Sequence, residues 1–255
     1  MSPDVQELLR VVRVPGFRYR ELQAGARAPA RQRSAEPRRE LTVALVSLVP
    51  RVGRTTLAAN LAAALARRGL STVAVDLDPG DALRLHLGGG AGEPPAPGAP
   101  GCVAFGAPAA AILDALDAEP AAFVLDTPAG LSRALEQALG SADEVLVVLR
   151  ADRASLDALP AAEALLARTR LRSWRRLRTR YVVNAYDARR HGEREALARF
   201  RADLGARLWP IPVQADEAVR AALAARRTVL AEAPDSQVVA DLAALAADLT
   251  RTGAA

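Results

Sequence analysis

The sequence predicts an α/β fold with a doubly wound, mostly parallel sheet, and three observations carry that expectation. The first is Leu41 to Leu65, where an apolar run rich in β-branched residues leads through PRVGRTT into an Ala/Leu stretch of strong helix propensity. The second is the alternation that follows, with strand-length apolar runs separated by helical stretches to about residue 250. The third is where the polar residues fall. Asp76 and Asp78, Asp126 and Asn184 each stand at the carboxyl end of a predicted strand, the edge of an open parallel sheet at which ligands bind.

In chain order, Val5, Leu8, Leu9 and Val12 recur at helical spacing before Pro15-Gly16, so residues 1–23 read as a short amphipathic docking segment. Residues 24–40, rich in Ala, Arg and Pro and without apolar periodicity, read as a linker. The main domain is 41–255. Its predicted strands are 42–49, 71–77, 122–125, 144–149, 180–184 and 208–213. Its predicted helices are 57–65, 109–116, 131–139, 155–169, 193–204, 215–227 and 236–250. Residues 88–101, GGGAGEPPAPGAPG, read as a loop.

The turn in the first unit has the layout of a phosphate-binding loop, because a helix N-terminus offers free N–H groups and a positive dipole end to an anion. Gly53, Arg54 and Thr55 fill the last three places of the Gly-x4-Gly-Lys-Ser/Thr pattern, and the first place falls on Leu48. Pro50 lacks an N–H donor, and an arginine fork is not interchangeable with an ammonium. Read alone, the stretch fits an ordinary strand-to-helix turn equally well. Acidic residues at the same sheet edge add weight, since Mg²⁺ bridging phosphates needs hydroxyl and carboxylate oxygens so arranged.

Composition narrows the classes. The 255 residues are 51% hydrophobic, enough for a sizeable core, and the single cysteine, Cys102, excludes an intramolecular disulfide. With only His86 and His191 beside it, a Cys/His metal site is not expected. No apolar run approaches the ~20 residues of a membrane span and the N-terminus lacks a secretory h-region, so a cytoplasmic protein is expected. Net charge is +5 and pI near 10.4, which invites an anionic partner. All 34 basic residues are arginine, a compositional bias under which Arg54 need not have been selected over lysine.

With these residues assembled, the domain resembles the ParA/MinD group of P-loop ATPases with a deviant Walker A loop. VPRVGRTTLAANLAAALA resembles the group's KGGVGKTT loop and first helix, VAVDLDPGD its switch segment, and FVLDTPAG its Walker B strand. YVVN matches the strand whose terminal Asn contacts the base, and PIPVQADEAVRAALAARRTV resembles the segment beside adenine. The resemblance implies ATP and Mg²⁺ as ligands. It implies Thr55, Asp76 and Asp126 around the metal, Thr56 on the α-phosphate, Asp78 with Arg54 at the attacking water and γ-phosphate, and Asn184 and Pro212 near adenine. It also implies a homodimer around two nucleotides, with a lysine crossing to the partner's phosphates. Val49 stands at that lysine's position and Arg54 at the second lysine's, leaving Arg51 to reach across, so the resemblance implies ATP binding while these departures count against hydrolysis.

Within the group, residues 208–246 resemble the C-terminal region of the BcsQ (YhjQ) branch, the accessory proteins of bacterial cellulose synthesis operons, and residues 4–22 resemble their small companion BcsR. That likeness implies a BcsR-like segment supplied in cis and contact with components of the cellulose synthase complex. The alternative is a partition protein that binds DNA non-specifically through Arg168 to Arg180, a run with seven arginines and Trp174 that reads equally as a solvated face. The C-terminal helix has aspartates where a membrane-inserting helix needs basic residues, so direct membrane insertion is not expected.

Overall fold

The computed structural model describes residues 41–80, 82–88, 100–103, 121–172 and 177–253. The expected N-terminal docking segment, the linker, the helix at 109–116 and most of the loop at 88–101 lie outside the described residues. Six parallel strands form one sheet. They are β1 (Leu41–Val46), β2 (Thr72–Asp76), β3 (Gly101–Val103), β4 (Ala122–Asp126), β5 (Glu144–Leu149) and β6 (Arg178–Val183), in the order β3-β2-β4-β1-β5-β6. β1, β2, β4 and β5 are buried along their whole length, as continuous apolar runs covered on both faces must be.

Alternation of side chains along each strand feeds two cores. Val43, Leu45, Val124, Leu146 and Val148 face helix α1 (Arg54–Arg67), the segments α6 (Glu217–Ala224) and α7 (Val229–Glu232), and the C-terminal helix α8 (Gln237–Gly253). Ala44, Val46, Phe123, Leu125, Val145 and Val147 face α3 (Arg133–Ser141), α4 (Arg153–Arg172) and α5 (His191–Leu204). A one-turn helix, α2 (Leu83–Leu87), follows β2. α1 is buried from Leu57 to Leu65 because it lies between the sheet and α8. Small alanines permit that double contact at no cost in side-chain entropy.

The central position of β1 matters most. It pairs with β4 on one side and β5 on the other, so the chain connections diverge there and leave a crevice above its carboxyl end. The register places Asp76 opposite Asp126 and Leu45 opposite Asp126, which puts both acids at that edge.

Two differences from the sequence expectation have clear causes. Residues 208–213 are not a strand. They run beside β6 through isolated bridges at Tyr181–Leu208 and Tyr186–Gln214, with Trp209 and Val213 donating N–H bonds to Tyr181 and Val183. Pro210 and Pro212 have no N–H to give, so a ladder cannot close across them. Residues 101–103, of which only Gly101 falls in the expected loop and the other two in no expected element, form the short edge strand β3. Three residues ending a Gly/Pro-rich run carry no readable strand periodicity.

The core should behave accordingly. Phe123→Ala, at a side chain with no exposure in the middle of the sheet, is expected to cost about 3–5 kcal/mol. Urea denaturation should show a lower midpoint with the slope unchanged.

Candidate functional site

The loop from Ser47 to Gly53 connects β1 to α1. The Ser47 hydroxyl bonds within the turn, accepting from the Val49 N–H at 3.1 Å and donating to the Val49 carbonyl at 2.9 Å. Gly53 caps α1 in the left-handed region (φ 80°) and gives no side-chain cap, so the first-turn N–H groups receive no acceptor from the cap residue. Arg51 is also left-handed (φ 62°), a conformation that strains a residue with a Cβ.

Asn184 fixes this loop from the far side. It stands just beyond β6 and is buried, and its Nδ2 donates to the Val52 carbonyl at 2.9 Å and the Gly53 carbonyl at 3.4 Å. A Cβ on residue 53 would sit 2.5 Å from that nitrogen. The position thus demands glycine for its φ and again for the close approach of Asn184.

A cleft of about 420 Å³ opens between this loop and the segment after β6. Arg51, Gly53, Thr56 and Asn184 line one part, and Val213, Gln214 and Asp216 another. Pro212 is half-buried next to that wall, its carbonyl accepting from the Gln214 side chain. Ala185, left-handed like Arg51 (φ 51°), lines the cleft too, so two of the three such non-glycine residues among those described meet at one place. Asp187 lines the rim with its carboxyl held down to about 2, chiefly by hydrogen bonds from Arg189. Arg150 lines the cleft from the carboxyl end of β5, the same strand-end signal that marks Asp126 and Asn184. In sequence it is one of 34 arginines and belongs to no motif. Asn60 was also missed. One turn beyond Thr56, it donates to the Thr56 carbonyl and accepts the Val229 N–H, tying α1 to the far wall.

The strand-end acids Asp76, Asp78 and Asp126 are not part of the cleft lining. Asp126 has no exposure, and its Oδ1 accepts from Arg54 Nε at 3.0 Å. The same guanidinium reaches Asp78 Oδ2 with Nη2 at 3.5 Å. Arg54 is itself buried, so this side chain is spent on two carboxylates and turned inward. Burial pushes the Asp126 carboxyl up, and the Arg54 charge and the Thr55 hydroxyl work against that shift. Asp76 organises the turn after β2, Oδ1 accepting the Asp78 N–H at 2.9 Å and Oδ2 the Leu83 N–H at 3.0 Å.

The donor set can be tested against Mg²⁺. Thr55 and Asp126 are adjacent, and Asp126 Oδ2 is buried without a hydrogen-bond partner, which is one oxygen a cation would take. Against it, Oδ1 already holds a guanidinium, and each Asp76 oxygen already takes a backbone N–H. Among the described residues no group of three or more His, Cys, Asp or Glu is placed to hold a metal. As arranged, the set does not fit a divalent ion, because a cation is already supplied.

This fold and loop define a nucleotide-binding domain of the P-loop type. Residues 44–229 match the family model described as the CobQ/CobB/MinD/ParA nucleotide binding domain, and the chain belongs to that family. Among solved structures, it is similar to cobyrinic acid a,c-diamide synthase from Mycobacterium smegmatis with bound ATP analog and magnesium (18% identity, 73% of this chain and 91% of that one, TM-score 0.59). It is likewise similar to the cell division ATPase MinD of Pyrococcus furiosus (20%, 83% and 99%, 0.58) and a ParA family ATPase from Chlorobium tepidum TLS (18%, 83% and 99%, 0.60). No curated protein is a significant sequence match.

Two outcomes are expected at the loop and the ion pair. Gly53→Ala should destabilise by about 1–2 kcal/mol, and the double variant with Asn184→Ala should cost less than the sum, because one of the two penalties disappears. Arg54→Ala should raise the Asp126 carboxyl further. A carboxyl raised in the folded state contributes stability at low pH that is lost as pH rises through its folded value. The stability gap between wild type and Arg54→Ala in urea should therefore widen from pH 5 to pH 8.

Proposed function

We infer that the chain binds ATP in the cleft beneath Ser47–Gly53 and turns it over slowly or not at all, acting as a nucleotide-stabilised scaffold. The observation that carries this is the direction of Arg54. Its guanidinium is committed to Asp126 and Asp78, so neither the residue at the lysine position nor the acid assigned to the attacking water is free for phosphate chemistry. Binding has other support. The first-turn N–H groups of α1, Thr56 and the cationic Arg51 and Arg150 border the cleft on the side of the loop.

The scaffold reading places the chain with the accessory proteins of bacterial cellulose synthesis, as a homodimer that assists assembly or positioning of the secretion complex. The likeness of residues 208–246 to that branch supports it, and so does the BcsR-like N-terminal segment, which a tether would keep at high effective concentration. No helix among the described residues is long and apolar enough to cross a membrane, so recruitment to an envelope complex would run through protein partners.

The second reading, DNA-binding partition, has less support. Arg168 and Arg170 are exposed at the end of α4, but Arg180 pairs with Glu144 and Asp248 and stacks on Trp209, removing it from any phosphate-facing row.

Calorimetric titration with ATP, with turnover measured alongside, tests the reading. Expected are binding, negligible turnover, and a loss of affinity of about fivefold or more for Arg51→Ala and for Arg150→Ala. Turnover abolished by Asp78→Ala would make the protein a working ATPase instead. Absence of binding would leave only the fold. A salt-titrated mobility shift on DNA should show negligible affinity at physiological salt, and a steep salt-dependent affinity would favour partition.

A further inference from the structure

We propose that Arg54 takes the place of the divalent cation, so that the cleft binds its nucleotide as the metal-free anion. The inference rests on the ATP-binding reading and adds the ionic form of the ligand. In a metal-dependent phosphate site, a cation must neutralise the buried carboxylate at the strand end and the acid of the neighbouring turn. Here a single guanidinium, one positive charge shared between two carboxylates, contacts both. Arg54 Nε lies 3.0 Å from Asp126 Oδ1 and Nη2 lies 3.5 Å from Asp78 Oδ2.

The geometry suits arginine. Two nitrogens of one planar fork, Nε and Nη2, each point at a different carboxylate, a rigid spacing that a compact ammonium does not reproduce. Arg54 is anchored at the first residue of α1, with a side chain 8% exposed, and Asp126 is fully enclosed. Seating a divalent ion beside Asp126 would set it against a guanidinium already there, in a water-poor setting where like charges are poorly screened. Asp76, the remaining acid at this edge, holds the turn with both oxygens. The phosphates are then left to groups on the cleft side, Arg51 and the N–H groups at the start of α1.

Two measurements on the full chain test this. In the first, thermal melting of the nucleotide-free protein is followed with MgCl₂ or with EDTA. Wild type should be indifferent to Mg²⁺, whereas Arg54→Gln, with its carboxylates uncompensated, should melt higher as Mg²⁺ is added, in a saturable way. In the second, ATP and ADP binding is titrated with Mg²⁺ and with EDTA. Wild-type affinities should agree within about twofold, and those of Arg54→Gln should fall at least about tenfold in EDTA. Where Arg54→Gln does not fold, Arg54→Lys replaces it and should acquire a partial Mg²⁺ requirement. A wild-type affinity that drops tenfold or so in EDTA overturns the proposal, as does a wild-type melt that rises with Mg²⁺ alone. If wild type binds no nucleotide in either condition, the ATP-binding reading fails. The melts then still decide whether Arg54 is the resident cation.

Discussion

The ion pair between Arg54 and Asp126 is the constraint on which the rest of the site depends. Asp126 ends β4 at the centre of the sheet, with no exposure and a carboxyl pushed up by burial. A buried charge of that kind is tolerated only with a partner, and removing the partner typically costs about 3–5 kcal/mol. The partner comes from the first residue of α1, so satisfying Asp126 fixes how that helix begins. From there the order spreads. Gly53 must turn left-handed, Asn184 grips the carbonyls of Val52 and Gly53, and Arg51 is left strained and exposed at the cleft.

The same pair explains why a loop with a Walker-like outline is arranged differently from its outline. Arg54 occupies the lysine position, yet its direction is set by the two carboxylates beneath it rather than by an anion above. Asp78 is the less enclosed of the two, at 35% side-chain exposure, and its 3.5 Å contact is the looser one. Positive charge on the open side is supplied instead by Arg51 and Arg150. The helix start leaves its first-turn N–H groups without a side-chain cap, while the arginine at that start is turned to two carboxylates.

Much of this was legible in the sequence. The apolar runs of β1, β2, β4 and β5 are fully buried strands and could hardly be anything else, and the strand-end position of Asp76, Asp126 and Asn184 marked one sheet edge. What could not be read was direction. Sequence places Arg54 at a helix start but says nothing of which side its fork faces, because the carboxylates it meets are 24 and 72 residues away. Composition gave no help on the same residue, because in a chain without lysine an arginine at this position carries no signal of the two-pronged contact its fork makes. Asn184, expected beside a base, lines the cleft and also holds the loop, through contacts 132 and 131 positions apart that sequence does not reveal. The misread strand at 208–213 had its warning in Pro210 and Pro212, whose missing N–H groups outweigh the apolar pattern.

The most direct test of the account is the state of the Arg54 Nε–H itself, followed by NMR hydrogen exchange on ¹⁵N-arginine-labelled protein. The account predicts a slowly exchanging Nε–H that keeps its protection and its chemical shift when ATP is added, because the guanidinium stays on Asp126. A proton that exchanges freely in the nucleotide-free protein, or shifts to a new environment on ATP binding, would contradict it. It would return Arg54 to the phosphates.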